Sequence, residues 1–114
     1  MTIDAKATDD AVVLTVTGRM VFGESLFQIR GHVLKAISSG VRRFIVDLSG
    51  VPYLDSSACG ELISIHTSIM KTNGTLTIVN PQERVRLLLS RIRLNEIFKI
   101  VDTIEQAESN TPCQ

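Results

Sequence analysis

A short, continuously apolar segment near the middle of the chain constrains the fold more than any other feature. Phe44-Ile45-Val46 is followed at once by Asp47. A run of this kind is typical of a strand that is buried on both faces, as strands are in parallel sheets. The segment therefore predicts the central strand of a sheet whose two faces are both covered.

The segments on either side of this strand alternate between strand and helix patterns. Residues 3–18 include a period-two alternation of strong strand formers, and residues 25–39 carry apolar side chains at helical spacing. This alternation predicts an α/β fold with a mostly parallel sheet, right-handed crossovers and one antiparallel strand at the start. The predicted order is a hairpin over 3–18, a helix over 25–39, the Phe44 strand, a helix over 56–71, a strand over 76–79, a helix from Pro81, a strand over 98–101 and a short helix over 103–109.

Residues with strong positional preferences predict where the helices begin and end. We expect Ser25 to cap the first helix, and Asn80 to cap the third helix with Pro81 in its first turn. Gly40 and Asn73-Gly74 are placed to end the first and second helices. One domain over residues 1–109 accounts for these elements, and residues 110–114 are expected to form a flexible tail.

The apolar positions of each helix predict which side chains face the core. The predicted inward residues are Leu26, Ile29, Val33 and Ile37 in the first helix, Cys59, Leu62, Ile63, Ile69 and Met70 in the second, and Val85, Leu88, Leu89 and Ile92 in the third.

The composition excludes several classes of protein. Apolar residues make up 44% of the chain, and 12 Lys and Arg residues balance 12 Asp and Glu residues, which is typical of a globular domain and not of a disordered one. Nucleic-acid binders usually carry a basic excess, so we expect no nucleic-acid partner. The densest basic stretch, residues 84–93, is interpreted as a solvated helix face and its flank.

The cysteines and the N-terminal residues bear on the compartment. Cys59 and Cys113 form no metal-spaced pair, and their number and placement favour a reducing compartment. The first residues lack the basic start and apolar run of a signal peptide, and no run approaches the roughly 18 apolar residues that span a bilayer. We therefore expect a cytoplasmic protein with no metal, no cofactor and no membrane partner.

Three residues that can cap a helix stand together after the central strand. Asp55, Ser56 and Ser57 precede the second predicted helix, although one capping residue is usually enough. One interpretation is redundant capping. The other is that one serine caps while another points outward, where the positive helix end tolerates a regulatory phosphate. Asp55 would then add to the repulsion of a docked partner.

At this point the sequence resembles the STAS domains, the anti-sigma factor antagonist family. Phe44–Ser57 resembles the family signature, and Leu94–Ile100 is similar to the family's segment before its last strand. Gly74–Val79 and Val85–Leu89 match in order and spacing. The resemblance implies the STAS fold, in which a mixed, mostly parallel sheet of four to five strands packs with about four helices.

The resemblance also implies a function. Such domains bind an anti-sigma factor that is itself a serine kinase, and the kinase phosphorylates the serine directly after the aspartate, here Ser56. A PP2C-type phosphatase reverses the modification, and the kinase holds the ATP and magnesium. We expect the contact surface to comprise Asp55, Ser56, Ser57, Ala58 and Glu61.

The chain departs from the family pattern at two places. The motif usually continues as Gly-Leu-Gly, whereas this chain has Ala58-Cys59-Gly60, which adds a methyl group where a partner could approach. Many members carry an aspartate soon after the glycine that ends the second strand, whereas Gly18-Arg19-Met20-Val21 has none. These departures leave open a STAS scaffold or transport-complex subunit that binds its partner without phosphorylation.

Two other classes of function find less support. An enzyme would need a base near Ser56, Ser57 or Cys59, but His66 lies two helical turns from Cys59, roughly 10 Å along the axis. We therefore expect no catalytic activity. Membrane association would use the amphipathic helices over 25–39 and 81–93, but an α/β fold needs those apolar faces for its core.

Overall fold

The computed structural model describes residues 1–8 and 10–109. Over these residues the chain forms five strands and four α-helices: β1 (Thr2–Ala7), β2 (Ala11–Thr17), α1 (Glu24–Ser38), β3 (Arg43–Gly50), α2 (Ser56–Lys71), β4 (Thr75–Val79), α3 (Glu83–Arg91), β5 (Lys99–Val101) and α4 (Ile104–Ser109), with a 3₁₀ turn over Leu94–Glu96 before β5. The predicted tail at residues 110–114 lies outside the described residues.

The sheet has the strand order β1-β2-β3-β4-β5. β1 and β2 pair antiparallel, and all other neighbouring strands pair parallel. β3 is the central strand, with Val46 beside Leu14 of β2 and Ile78 of β4. The predicted mixed, mostly parallel sheet is therefore confirmed.

The central strand is buried on both faces, as its apolar run predicts. Phe44 and Val46 belong to the main core beneath α1, α2 and α3. Ile45 points to the other face and packs in a smaller cluster with Val79 and Ala107 of α4. Successive side chains of a strand point to opposite faces, so an unbroken apolar run is needed to fill both clusters.

Gly40 and Gly74 follow α1 and α2 as the sequence predicts. Gly40 has a φ of 97°, a conformation that glycine adopts without strain. A Cβ atom at Gly74 would lie 2.5 Å from the carbonyl oxygen of Arg42. Thr75 also donates to that carbonyl at 2.8 Å, so the chain enters β4 through a gap that admits only glycine.

The predicted starts of two helices are wrong. α1 begins at Glu24 and no side chain caps it, so Ser25 lies inside its first turn. α3 begins at Glu83 after Gln82, and both Asn80 and Pro81 precede it. The backbone N–H of Asn80 still donates to Val101 of β5 at 2.8 Å, which holds the chain at the sheet and delays the helix.

Several residues predicted to face the core are exposed. Ile63 and Met70 of α2 are 40% and 50% exposed, and Ile92 after α3 is 46% exposed, whereas Ile65 is buried. Each helix packs against only one face of the sheet, so fewer of its side chains are buried than its apolar pattern predicts. Among the described helices, none combines the length and hydropathy needed to cross a membrane.

Candidate functional site

Two loops meet at the carboxyl ends of β2 and β3. Backbone hydrogen bonds join them from Gly18 to Gly50 at 2.9 Å, from Met20 to Tyr53 at 3.0 Å, and from Asp55 back to Met20 at 3.1 Å. β3 itself continues to Gly50, beyond the predicted end at Asp47. The two loops therefore form one ordered platform at the start of α2.

The Asp55 carboxylate holds this platform together. Its Oδ1 accepts from the backbone N–H of Ala58 at 3.0 Å, which caps α2, and its Oδ2 accepts from the backbone N–H of Phe22 at 3.0 Å. These hydrogen bonds lower the pKa of Asp55 below its usual value, and the bond from Ala58 contributes most. Partial desolvation of the carboxylate acts in the opposite direction but is outweighed. The aspartate therefore caps α2, and the expectation that a serine does so is wrong.

Ser56 is the first residue of α2 and its side chain is exposed. Among the described residues, none forms a hydrogen bond with its hydroxyl group. The neighbouring Ser57 is half-buried. Free backbone N–H groups and the helix dipole make the first turn of a helix favourable for an anion.

The structure buries two residues that the sequence places in the contact surface. Ala58 has no exposed surface, and Glu61 is only 6% exposed. Glu61 forms an ion pair with Arg30 of α1 through Oε1, whereas its Oε2 is buried without a hydrogen-bond partner. Because a docking protein touches accessible atoms, these two side chains are structural in this conformation, contrary to that expectation.

The departure from the family's glycine motif also falls inside the core. The Ala58 side chain packs in the main cluster with Cys59 and Leu62. A Cβ atom added at Gly60 would meet nothing within 4 Å, so the second glycine of the motif faces open space. The extra methyl group at Ala58 therefore does not obstruct the surface around Ser56.

An exposed aromatic pair adjoins the platform, and sequence reasoning missed it. Phe22 and Phe27 are 71% and 47% exposed, and their rings meet edge to face with centroids 6.0 Å apart. Phe22 is tied to Asp55 by the hydrogen bond described above. The signal in the sequence is that both aromatic residues fall outside the predicted apolar stripe of α1.

The other flank of the platform is basic. The Arg19 guanidinium lies 5.5 Å from the centroid of the Tyr53 ring, a cation–π arrangement. Arg19 occupies the loop in which many family members carry an acid. Met20 of this loop accepts a hydrogen bond from Asp55, directly before the serine, so the loop lies at the same platform but carries a charge of opposite sign.

The candidate nucleophile Cys59 lies in an unreactive setting. Burial, with a smaller contribution from the charge of Asp55, raises the pKa of the Cys59 thiol above its usual value. Burial lowers the pKa of His66, whose ring lies edge-on to Phe98 with centroids 5.3 Å apart. Over residues 1–8 and 10–109, no group of three or more His, Cys, Asp or Glu side chains could hold a metal ion.

Comparison with known proteins agrees with this geometry. The sequence model of the STAS domain family matches residues 2–107. A Thermotoga maritima protein named "Putative anti-sigma factor antagonist" is 29% identical over 102 residues, which are 90% of each chain.

Solved structures show the same fold. The crystal structure of a Thermotoga maritima protein, described as a "putative anti-sigma factor antagonist", superposes on this chain with a TM-score of 0.85 at 30% identity. The match covers 93% of this chain and 91% of the other. The Bacillus protein SpoIIAA, in a phosphorylated form, superposes with a TM-score of 0.75 at 22% identity, covering 94% and 96%.

Proposed function

Since the chain belongs to the STAS domain family, we propose that it acts in the cytoplasm as an anti-sigma factor antagonist whose binding is switched by phosphorylation. The partner is an anti-sigma factor with serine kinase activity. The kinase modifies Ser56, which releases the partner, and a PP2C-type phosphatase restores the unmodified form. The chain itself is then a ligand and a protein substrate, and not an enzyme.

The observation that carries the proposal is the exposed, unpaired hydroxyl group of Ser56 on the first turn of α2. A kinase can reach this hydroxyl group without opening the core. A phosphate there adds about −1.5 to −2 charges and three acceptor oxygens, and the helix N-terminus favours such an anion. Because Asp55 already caps the helix, the modification displaces no structural hydrogen bond.

Phosphorylation would nevertheless abolish docking. Phe22 and Phe27 supply an exposed aromatic surface beside Ser56, and buried aromatic contacts often dominate binding energy. A partner seated there would have to desolvate the phosphate. The Asp55 carboxylate, which is ionised at neutral pH, places a second negative charge next to it. The contact surface we propose comprises Phe22, Phe27, Asp55, Ser56 and the rim residue Ser57.

The first experiment tests the modification. The protein is incubated with each candidate anti-sigma factor kinase encoded in its source genome and MgATP, and the phosphate is located by peptide mass spectrometry. We expect one phosphate on Ser56. Ser56→Ala should remove it, and the matched control Ser57→Ala should retain it. A phosphate that maps elsewhere contradicts the switch.

The second experiment tests the docking surface with the same kinase. Phe22→Ala should weaken binding at least tenfold in calorimetry, because it removes the most exposed aromatic ring beside Ser56. Ile97→Ala is the matched control, since Ile97 is also an exposed apolar residue, at 50%, but lies before β5. Equal effects of the two substitutions would place the contact surface elsewhere.

A second candidate function is a STAS scaffold or transport-complex subunit that binds without phosphorylation. The observation that favours it is Arg19, which stands in the loop where many family members carry an acid. Stable binding to a partner with no modification of Ser56 in the presence of MgATP would support this function over the switch.

A further inference from the structure

A cleft of about 380 Å³ lies between the loop that precedes α2 and the outer face of α3. Its volume falls within the range of about 300–1,000 Å³ that small-molecule sites occupy. Its lining combines Tyr53 and Leu54, which follow β3, with residues of α3 from Glu83 to Arg91.

The lining of the cleft is apolar inside and basic at its rim. Leu87 is 53% exposed, Tyr53 is 38% exposed and Leu88 is partly buried, so these three side chains offer an apolar surface that a ligand can reach. Arg84 and Arg91 line the same cleft. They lie two helical turns apart on α3, and therefore on one side of the helix.

The two rim arginines are unpaired. Arg86 of the same helix forms an ion pair with Asp102 at 3.3 Å. Across the part of the chain that the structure describes, neither Arg84 nor Arg91 has an ion-pair or hydrogen-bond partner. Glu83 also lines the cleft, so the lining carries two positive charges against one negative charge.

We propose that this cleft is a binding site for a small organic carboxylate with an apolar body. The body would lie against Tyr53, Leu87 and Leu88, and the carboxylate would pair with the guanidinium of Arg84 or Arg91. Arginine suits this role because its planar group donates two parallel hydrogen bonds to a carboxylate. A cation of the same shape would meet repulsion, and a neutral molecule would leave the arginines without a partner.

The proposed site goes beyond the proposed function and does not depend on it. Binding in the cleft requires no partner protein and no phosphate on Ser56. The two surfaces are nevertheless neighbours, because Tyr53 and Leu54 line the cleft and directly precede Asp55. A metabolite bound here would lie beside the docking surface.

The probe is decanoate, and its binding is monitored by two-dimensional amide NMR of the full chain carrying Ser56→Ala. This background removes the phosphorylation site, so failure of the switch and failure of the cleft are distinguishable. We expect saturable shifts at Tyr53, Leu87 and Leu88 with a dissociation constant of about 1 mM or tighter. Decanol and decylammonium, which keep the body but change the charge, should bind at least fivefold more weakly.

Charge-neutral variants locate the carboxylate. Arg84→Gln with Arg91→Gln should weaken decanoate binding at least fivefold at an unchanged melting temperature. The control Arg93→Gln, in another exposed arginine, which pairs with Glu96 at 3.9 Å and does not line the cleft, should change it less than twofold. Raising sodium chloride from about 50 mM to about 500 mM should weaken the binding of decanoate and leave the binding of decanol unchanged.

Three results would overturn the proposal. The first is equal binding of decanoate and decanol. The second is the absence of shifts around the cleft at millimolar decanoate. The third is a second copy of the chain as the occupant, which sedimentation would reveal as a dimer that dissociates on substitution of Arg84 and Arg91.

Discussion

Replacing Glu61 by methionine should stabilise the protein, although it breaks an ion pair. The Glu61 side chain is 7% exposed, and the Arg30 side chain with which it pairs is 45% exposed. The pair therefore joins a buried carboxylate to an arginine side chain that is about half exposed. Its second oxygen, Oε2, is buried with no hydrogen-bond partner. Burying a polar atom in this way costs about 1–3 kcal/mol.

The expected magnitude follows from this asymmetry. Methionine has a similar length, and burying an apolar side chain of that size contributes about 1.5–3 kcal/mol. The substitution loses one charge-assisted hydrogen bond, worth about 1.5–3 kcal/mol, and also removes the unsatisfied oxygen. The released Arg30 head group remains in water. We therefore expect Glu61→Met to raise the free energy of unfolding by about 1–2 kcal/mol, in line with other replaced buried ion pairs.

The partner substitution should have the opposite sign. Arg30→Met leaves the Glu61 carboxylate buried without any partner, which should cost about 3 kcal/mol or more. Urea unfolding at pH 7 measures the free energy of unfolding of both variants. In a thermal scan, Glu61→Met should raise the melting temperature by at least about 3 °C. If Glu61→Met destabilises the protein as much as Arg30→Met does, the argument from burial is refuted.

Three further predictions concern the rest of the site and the fold. Ser56→Asp should change the free energy of unfolding by less than about 0.5 kcal/mol but weaken partner binding at least tenfold, about 1.4 kcal/mol, as denaturation and calorimetry would show. Gly74→Ala should destabilise the protein by about 1–3 kcal/mol because its Cβ atom would lie 2.5 Å from the carbonyl oxygen of Arg42. Gly60→Ala is the matched control and should stabilise α2 by about 0.5–1 kcal/mol, because its Cβ atom meets nothing; equal urea midpoints for the two variants would contradict both. The folded state lowers the pKa of Asp55, so the charge of Asp55 stabilises the protein above its ordinary pKa of 3.8. This contribution is lost as the pH falls below that value. Melting curves of Asp55→Asn and the unsubstituted protein should therefore converge on acidification.

Much of the fold could be predicted because its signals are local. The apolar run Phe44-Ile45-Val46 predicts a strand buried on both faces, and Asn73-Gly74 predicts the end of α2. Both patterns reflect backbone and side-chain preferences within a few residues. The predicted cap at Asn80 failed because a tertiary hydrogen bond to Val101 holds that residue at the sheet. The predicted cap at Ser25 failed because α1 begins one residue earlier, at Glu24.

The candidate site could be predicted only in part. The cluster Asp55-Ser56-Ser57 marks a helix start, but three capping residues in a row leave open which one caps. The hydrogen bond from the backbone N–H of Ala58 to the Asp55 carboxylate identifies the cap. The bond from Phe22, which joins residues 33 positions apart, holds the other oxygen of that carboxylate. Phe22 and Phe27 fall outside the apolar stripe of α1, but this spacing alone does not show that they pair beside Asp55, because that contact depends on the tertiary structure.

The sequence by itself determined the order of the elements and the position of Ser56 at the start of α2, because periodicity and capping act over a few neighbouring residues. Only the tertiary structure decided that Glu61 is buried against Arg30, that Phe22 is exposed, and that Arg84 and Arg91 border a cleft. Those outcomes depend on how α1, α2 and α3 pack on the sheet. Packing is set by contacts between residues distant in sequence, and no local pattern encodes them.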